Sequence, residues 1–171
     1  MIATSPDTDV LEDLLAATLG RFSGLVAATA ARGGDGTGVL ARALPRLAIA
    51  GASPPRSPAR PVVKPVAGWL DDIAARPPDD PALALLIGDL ARLSPHAEWR
   101  QNPSYSAGRV GQHFMDGYGY VELVGPLGPF VDHGLSAGVL LLGPGRLYPP
   151  HAHPAEEVYI PLSGTAEWWR D

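Results

Sequence analysis

Residues Gly145 to Gly164 read GRLYPPHAHPAEEVYIPLSG, and this stretch gathers His151, His153 and Glu157 with Tyr148 and Tyr159 close by. In a strand, residues two apart face the same side, so His151 and His153 are predicted to point together into a barrel interior. The Pro154-Ala155 pair then allows the chain to double back. Glu157 and Tyr159 follow in phase on the next strand, with Val158 and Ile160 facing the other way. Imidazole nitrogens and a carboxylate oxygen suit a divalent transition metal (Zn, Fe, Mn, Ni or Co), and two His plus one carboxylate leave positions open for substrate. A solvated polar turn is the competing reading. The spacing Gly145-x5-His151-x-His153-x3-Glu157-x6-Gly164 favours the metal.

Around this stretch the chain has a β texture from Trp99 onward. Tyr118–Val124 (YGYVELV) alternates, Leu135–Leu142 (LSAGVLLL) reads as a buried strand, and Glu157–Ile160 and Thr165–Trp169 are predicted as short strands. Gly/Pro pairs punctuate them at 125–126, 128–129 and 143–145, a pattern that indicates a sandwich or barrel. The N-terminal part reads instead as helices. Leu11, Leu14, Leu15, Leu19, Phe22 and Val26 recur at three and four, predicting a helix that starts at Ser5-Pro6 or at Asp9 and runs to about Ala31. A second helix over Gly38–Ala50 is expected to be interrupted at Pro45. The proline-rich residues 52–65 read as an extended linker. Two further helices are predicted over Val66–Ala75 and Pro81–Leu93, the latter capped by Asp80. The division is a helical region over 1–95 and a barrel over 97–171.

Composition narrows the function. The 171 residues hold 20 Gly and 19 Pro, but 46% are hydrophobic and only 18% charged, enough apolar side chain for a core. Thirteen basic residues stand against 18 acidic ones, for a net charge of −5, and the basic ones are scattered. No basic stripe is available for nucleic acid. Without Cys there is no thiolate metal site and no cysteine nucleophile. The N-terminal MIATSPDTDV lacks the basic and apolar pattern of a secretory peptide, and the run Ala137–Leu142 is too short to span a membrane. A cytoplasmic protein without membrane partners is the expectation.

Tyr148 three residues before His151, and Tyr159 two after Glu157, complete the pattern Tyr-x-x-His-x-His-x-x-x-Glu-x-Tyr. With the spacing above, this resembles the cupin-type bacterial dimethylsulfoniopropionate (DMSP) lyases, which split that sulfonium acid into acrylate and dimethyl sulfide. The resemblance covers Tyr118–Trp169 and is architectural before that. It implies a mainly β fold with N-terminal helices: a cupin (double-stranded β-helix, jelly-roll) barrel preceded by a helical region. It further implies His153 and Glu157 as metal ligands, His151 as a ligand or the partner of one, Tyr159 as a ligand or near-ligand phenol and a catalytic residue, and Tyr148 as catalytic base. A metal that binds the substrate carboxylate would stabilise the charge that develops as the α proton leaves. A phenol, ordinarily with a pKa of about 10, becomes a useful base only beside a cation. Tyr118, Tyr120, Trp168 and Trp169 are available as an aromatic wall for the sulfonium.

Cupins bring a last His ligand from a second motif, and the residues after Gly164 contain no His. The expectation is therefore a barrel incomplete at its C-terminal end. Its open edge and paired Trp would invite association, as in a homodimer. Two other readings stay open: another metal-binding cupin, such as a dioxygenase or isomerase, and an inactive or small-molecule-binding cupin.

Overall fold

The apolar stripe of the first 32 residues forms one long helix, α1 (Pro6–Arg32), in a computed structural model that describes residues 6–56 and 61–169. Starting at Pro6 suits a residue with no N–H to lose in a first turn, so Asp9 lies inside the helix and does not cap it. The helix α2 (Thr37–Gly51) runs unbroken through Pro45, against expectation. Leu40, Leu47 and Ala50 bury the face that packs on α1, and Leu47 is only 1% exposed. Burying such a side chain contributes about 1.5–3 kcal/mol, which offsets the backbone bond that proline removes.

After a 3-10 turn at Pro65–Ala67 come α3 (Gly68–Ala74) and α4 (Pro81–Leu93). Asp80 caps α4 as predicted, its side chain accepting from the Ala82 and Leu83 amides at 2.8 and 3.3 Å. Two short helices not anticipated from the sequence, α5 (Ala107–Val110) and α6 (Gln112–Asp116), precede the sheet.

The sheet itself has two antiparallel strands among the described residues, β1 (Tyr118–Val124) and β2 (Ala137–Leu142). Tyr118 lies opposite Leu142 and Val121 opposite Val139, with a register shift between Glu122 and Val124. On the other edge of β1, Arg100 exchanges backbone hydrogen bonds with Tyr120 at 2.8 and 2.9 Å. Val62 is tied in turn to Ala97 and Trp99, so this end of the proline-rich stretch is held by the sheet. Part of that stretch, 57–60, lies outside the described residues.

The strands predicted over Glu157–Ile160 and Thr165–Trp169 are not present: both segments are irregular. A strand exists only through its ladder, and residues 144–169 make no backbone–backbone hydrogen bond among the described residues. The architecture shown is a helical N-terminal region with a small antiparallel sheet.

Two apolar clusters join these layers. The first combines Leu14, Leu15, Leu19 and Val26 of α1 with Leu47 of α2 and with Val124 and Phe130 from the sheet region. The second places Leu86 and Leu90 of α4 against Trp99 and against Val139 and Leu141 of β2. Thr8–Arg32 is long and apolar enough, by length and composition alone, to cross a membrane. Here its stripe is spent on packing against α2 and α4.

Candidate metal centre

The segment that carries the polar cluster leaves β2 at Gly143. A Cβ there would lie 1.5 Å from the Trp69 ring, so only glycine admits the α3 tryptophan at this point. Arg146 then lies over that ring at 4.6 Å and donates to the carbonyls of His113 and Pro144 at 3.0 and 3.1 Å. These contacts fix the chain where it leaves β2, two residues before Tyr148.

His151, His153 and Glu157 converge. One ligand atom from each lies within 4.8 Å of the others. Glu157 Oε1 is 3.1 Å from His153 Nε2, and its Oε2 is 3.7 Å from His151 Nε2. The two imidazole rings stand 5.6 Å apart. His151 Nδ1 lies 3.0 Å from the Pro149 carbonyl. A carbonyl only accepts, so that contact places the proton on Nδ1 and turns the Nε2 lone pair toward Glu157. The histidines converge without the strand predicted for them. All three side chains are accessible to solvent, between 32% and 44% exposed, which leaves the focal point open to a small ligand. Two imidazoles and a carboxylate with a shared focus form a donor set that fits a borderline divalent ion.

Each predicted phenol has a different partner. The Tyr159 hydroxyl donates to Glu157 Oε2 at 3.0 Å. Partial burial, then the Glu157 charge, push the Tyr159 phenol well above its ordinary value. Tyr148 meets His151 edge to face at 4.8 Å. Its hydroxyl is 3.5 Å from that of Tyr118, which burial first and then the Tyr148 contact also push well up.

Tyr118 and Tyr120 belong to one aromatic group with Tyr148: the Tyr118 ring is 5.4 Å from Tyr148 and 6.5 Å from Tyr120. Trp168 lies apart from it, 5.0 Å from the Tyr159 ring. Trp169 makes no ring contact among the described residues and is 63% exposed. The four residues expected to share a wall are therefore divided.

Tyr105 and Phe114 complete the group and were missed from the sequence. Tyr105 sets its ring edge 6.4 Å from Tyr148, and Phe114 stacks on Tyr118 at 4.9 Å. Tyr105 precedes α5 and Phe114 sits on α6, and no periodic pattern marks either; the aromatic character of residues 105–120 was the available signal. The Tyr105 hydroxyl is buried with no partner among the described residues, and burial raises its pKa. Tyr105 and Tyr120 also line an open cavity of about 520 Å³, together with Lys64, Arg100, Gln101 and Asn102. Burial pushes the Tyr120 phenol up as well, with Arg100 opposing.

The profile of the dimethylsulfoniopropionate lyase family matches residues 37–171, from the start of α2 through the triad. The chain belongs to that family. Over 72 residues, 42% of this chain, it is 43% identical to dimethylsulfoniopropionate lyase DddQ of Ruegeria pomeroyi. Over 76 residues, 44% of this chain, it is 34% identical to a protein of Cereibacter sphaeroides provisionally named dimethylsulfoniopropionate lyase DddL. These alignments span 35% and 31% of the two relatives, so this DMSP lyase family member matches about a third of each. A chain from the crystal structures of the DMSP lyases RdDddP and RnDddQII aligns with 75% of this chain and 60% of its own, at 28% identity and a TM-score of 0.45.

Proposed function

We propose that this chain is a metal-dependent DMSP lyase, eliminating dimethyl sulfide from DMSP to leave acrylate and a proton. The observation that carries the reading is the common focus of His151, His153 and Glu157, flanked by Tyr148 and Tyr159, in a member of the family. His151, His153 and Glu157 would hold the ion, with the Tyr159 phenol at the edge of the set. When bound, the ion supplies Lewis acidity to the substrate carboxylate.

The chain's own residues account for the rest. Tyr148, in the phenolate form that a neighbouring cation favours, is the base that takes the α proton and becomes the phenol. The C–H electron pair becomes the new double bond, and the Cβ–S pair leaves with sulfur as neutral dimethyl sulfide. Tyr159, whose proton is committed to Glu157, holds that carboxylate in place. The rings of Tyr118, Tyr120 and Tyr105 give the sulfonium of the bound substrate an aromatic surface, which attracts cations and excludes water.

Headspace gas chromatography tests this. The protein with DMSP and Zn, Fe, Mn, Ni or Co in turn should release dimethyl sulfide, and chelation should stop it. Tyr148→Phe should lower release at least about 100-fold with metal affinity unchanged, within the range for loss of a general base. Metal binding at the triad with no sulfide under any condition would instead favour a cupin with another substrate or a binding role.

A further inference from the structure

The segment bearing Glu157 and Tyr159 has no ladder to hold it, yet its side chains alternate as a strand's would. Val158 and Ile160 pack against the first apolar cluster and Leu162 against the second, while Glu157 and Tyr159 face away. One contact that holds this alternation comes from the turn just before α2, more than a hundred residues earlier. Gly36, just before α2, has φ of +82°, and a Cβ there would lie 2.8 Å from Val158 Cγ2. Real Cβ atoms do not approach so closely. Nearly two turns further on, Arg42 forms an ion pair with Glu156, the residue before the proposed ligand.

We infer that the Gly36 turn and Arg42 form a positioning element for the metal centre: Gly36 is the socket that receives Val158, and Arg42 anchors Glu156, so the Glu157 carboxylate reaches the histidines. This rests on the metal-centre reading above and adds to it residues of the helical region. The socket is the stronger part. The ion pair is exposed on both sides, and such pairs contribute little.

A cycle of variants tests it, read by Co²⁺ affinity (calorimetric titration) and by the rate of chymotryptic cleavage after Tyr159. Gly36→Ala should push Val158 outward, weaken Co²⁺ binding about tenfold, the lower end for losing a ligand's supporting contact, and speed cleavage. Val158→Ala should weaken binding by leaving the socket empty. The double variant, with one methyl added at position 36 and two removed at position 158, relieves the clash and should return to within about threefold of the unaltered protein. Its melting temperature should stay low, because the positive-φ strain remains. A purely structural role predicts additive losses instead. Gly36→Ala that folds with unchanged affinity and cleavage, or a double variant with additive losses, overturns the inference. If Gly36→Ala does not fold, the surface pair decides: Arg42→Glu should weaken binding two- to fivefold, within the usual range for an exposed pair, and adding Glu156→Arg should restore it, whereas no change overturns the inference. If the unaltered protein binds no Co²⁺, or binds it equally after His153→Ala, the metal-centre reading fails by itself. The cleavage rates then still report whether Gly36 and Arg42 hold the segment.

Discussion

Replacing Glu157 with Gln separates a metal centre from a solvated turn. The carboxylate touches every other polar member of the cluster: His153 Nε2 at 3.1 Å, His151 Nε2 at 3.7 Å and the Tyr159 hydroxyl at 3.0 Å. Glu157→Gln keeps the shape and one carbonyl oxygen but removes the charge, and it puts an amide donor where a cation would sit. Supporting contacts of a metal site are already worth 10- to 100-fold in affinity, so an anionic ligand should be worth at least about 100-fold, or ~2.7 kcal/mol. Thermal melting reads this directly. At Co²⁺ one hundred times the dissociation constant, the unaltered protein gains about 2.7 kcal/mol. In a chain of this length each kcal/mol moves Tm by about 2–4 °C, so the melt should rise roughly 5–11 °C. At the same Co²⁺ concentration the variant gains only ~0.4 kcal/mol and should rise about 1–2 °C. Without metal the two should melt within about 2 °C of each other, because the carboxylate is 44% exposed and exposed pairs contribute little. Equal metal-induced shifts in the two proteins would refute the site. So would a metal-free loss as large as the metal-bound one.

Two further outcomes test the scaffold. Asp132 accepts from Arg46 Nε at 3.1 Å and from the Gly134 amide at 2.7 Å, and the Arg46 hydrogen bond holds its carboxyl below the ordinary range. Its folded pKa lies under the unfolded value of about 3.9, so its stabilisation is complete above that pH and is lost as the pH falls through the folded value. Asp132→Asn should therefore lower Tm at pH 7, with the gap to the unaltered protein closing toward pH 3; a gap that does not change with pH would contradict this. Leu47, 1% exposed between α1 and α2, should cost about 2–5 kcal/mol as Leu47→Ala, seen as a lower urea midpoint at unchanged slope.

The helical half and the two long strands were legible because their signals are local. A stripe at three and four, a capping Asp80 and an alternating YGYVELV each specify an element within sixteen residues or fewer. The failures share a cause. Pro45 signalled a break because its local cost is visible in sequence, whereas the burial of Leu47 and Ala50 that offsets it is tertiary. Glu157–Ile160 signalled a strand because its residues favour one, but a strand needs a partner, and no described segment pairs with it.

The triad survived that error. His151, His153 and Glu157 lie within seven residues of one another, so the turn at Pro154-Ala155 brings them together whether or not strands flank it. The period-two facing of Glu157 and Tyr159 survived for another reason: Val158 and Ile160 are apolar and find cores to enter, so burial imposes the alternation that a ladder would otherwise impose. What spacing cannot encode is which distant surface receives those side chains. Gly36 against Val158, Arg42 against Glu156 and Tyr105 against Tyr148 each join residues far apart in the chain. The candidate ligand set is thus a local property of residues 145–164, whereas the proposed positioning contacts come from the helical region. Substitutions in that region should therefore change metal affinity before they change which residues bind.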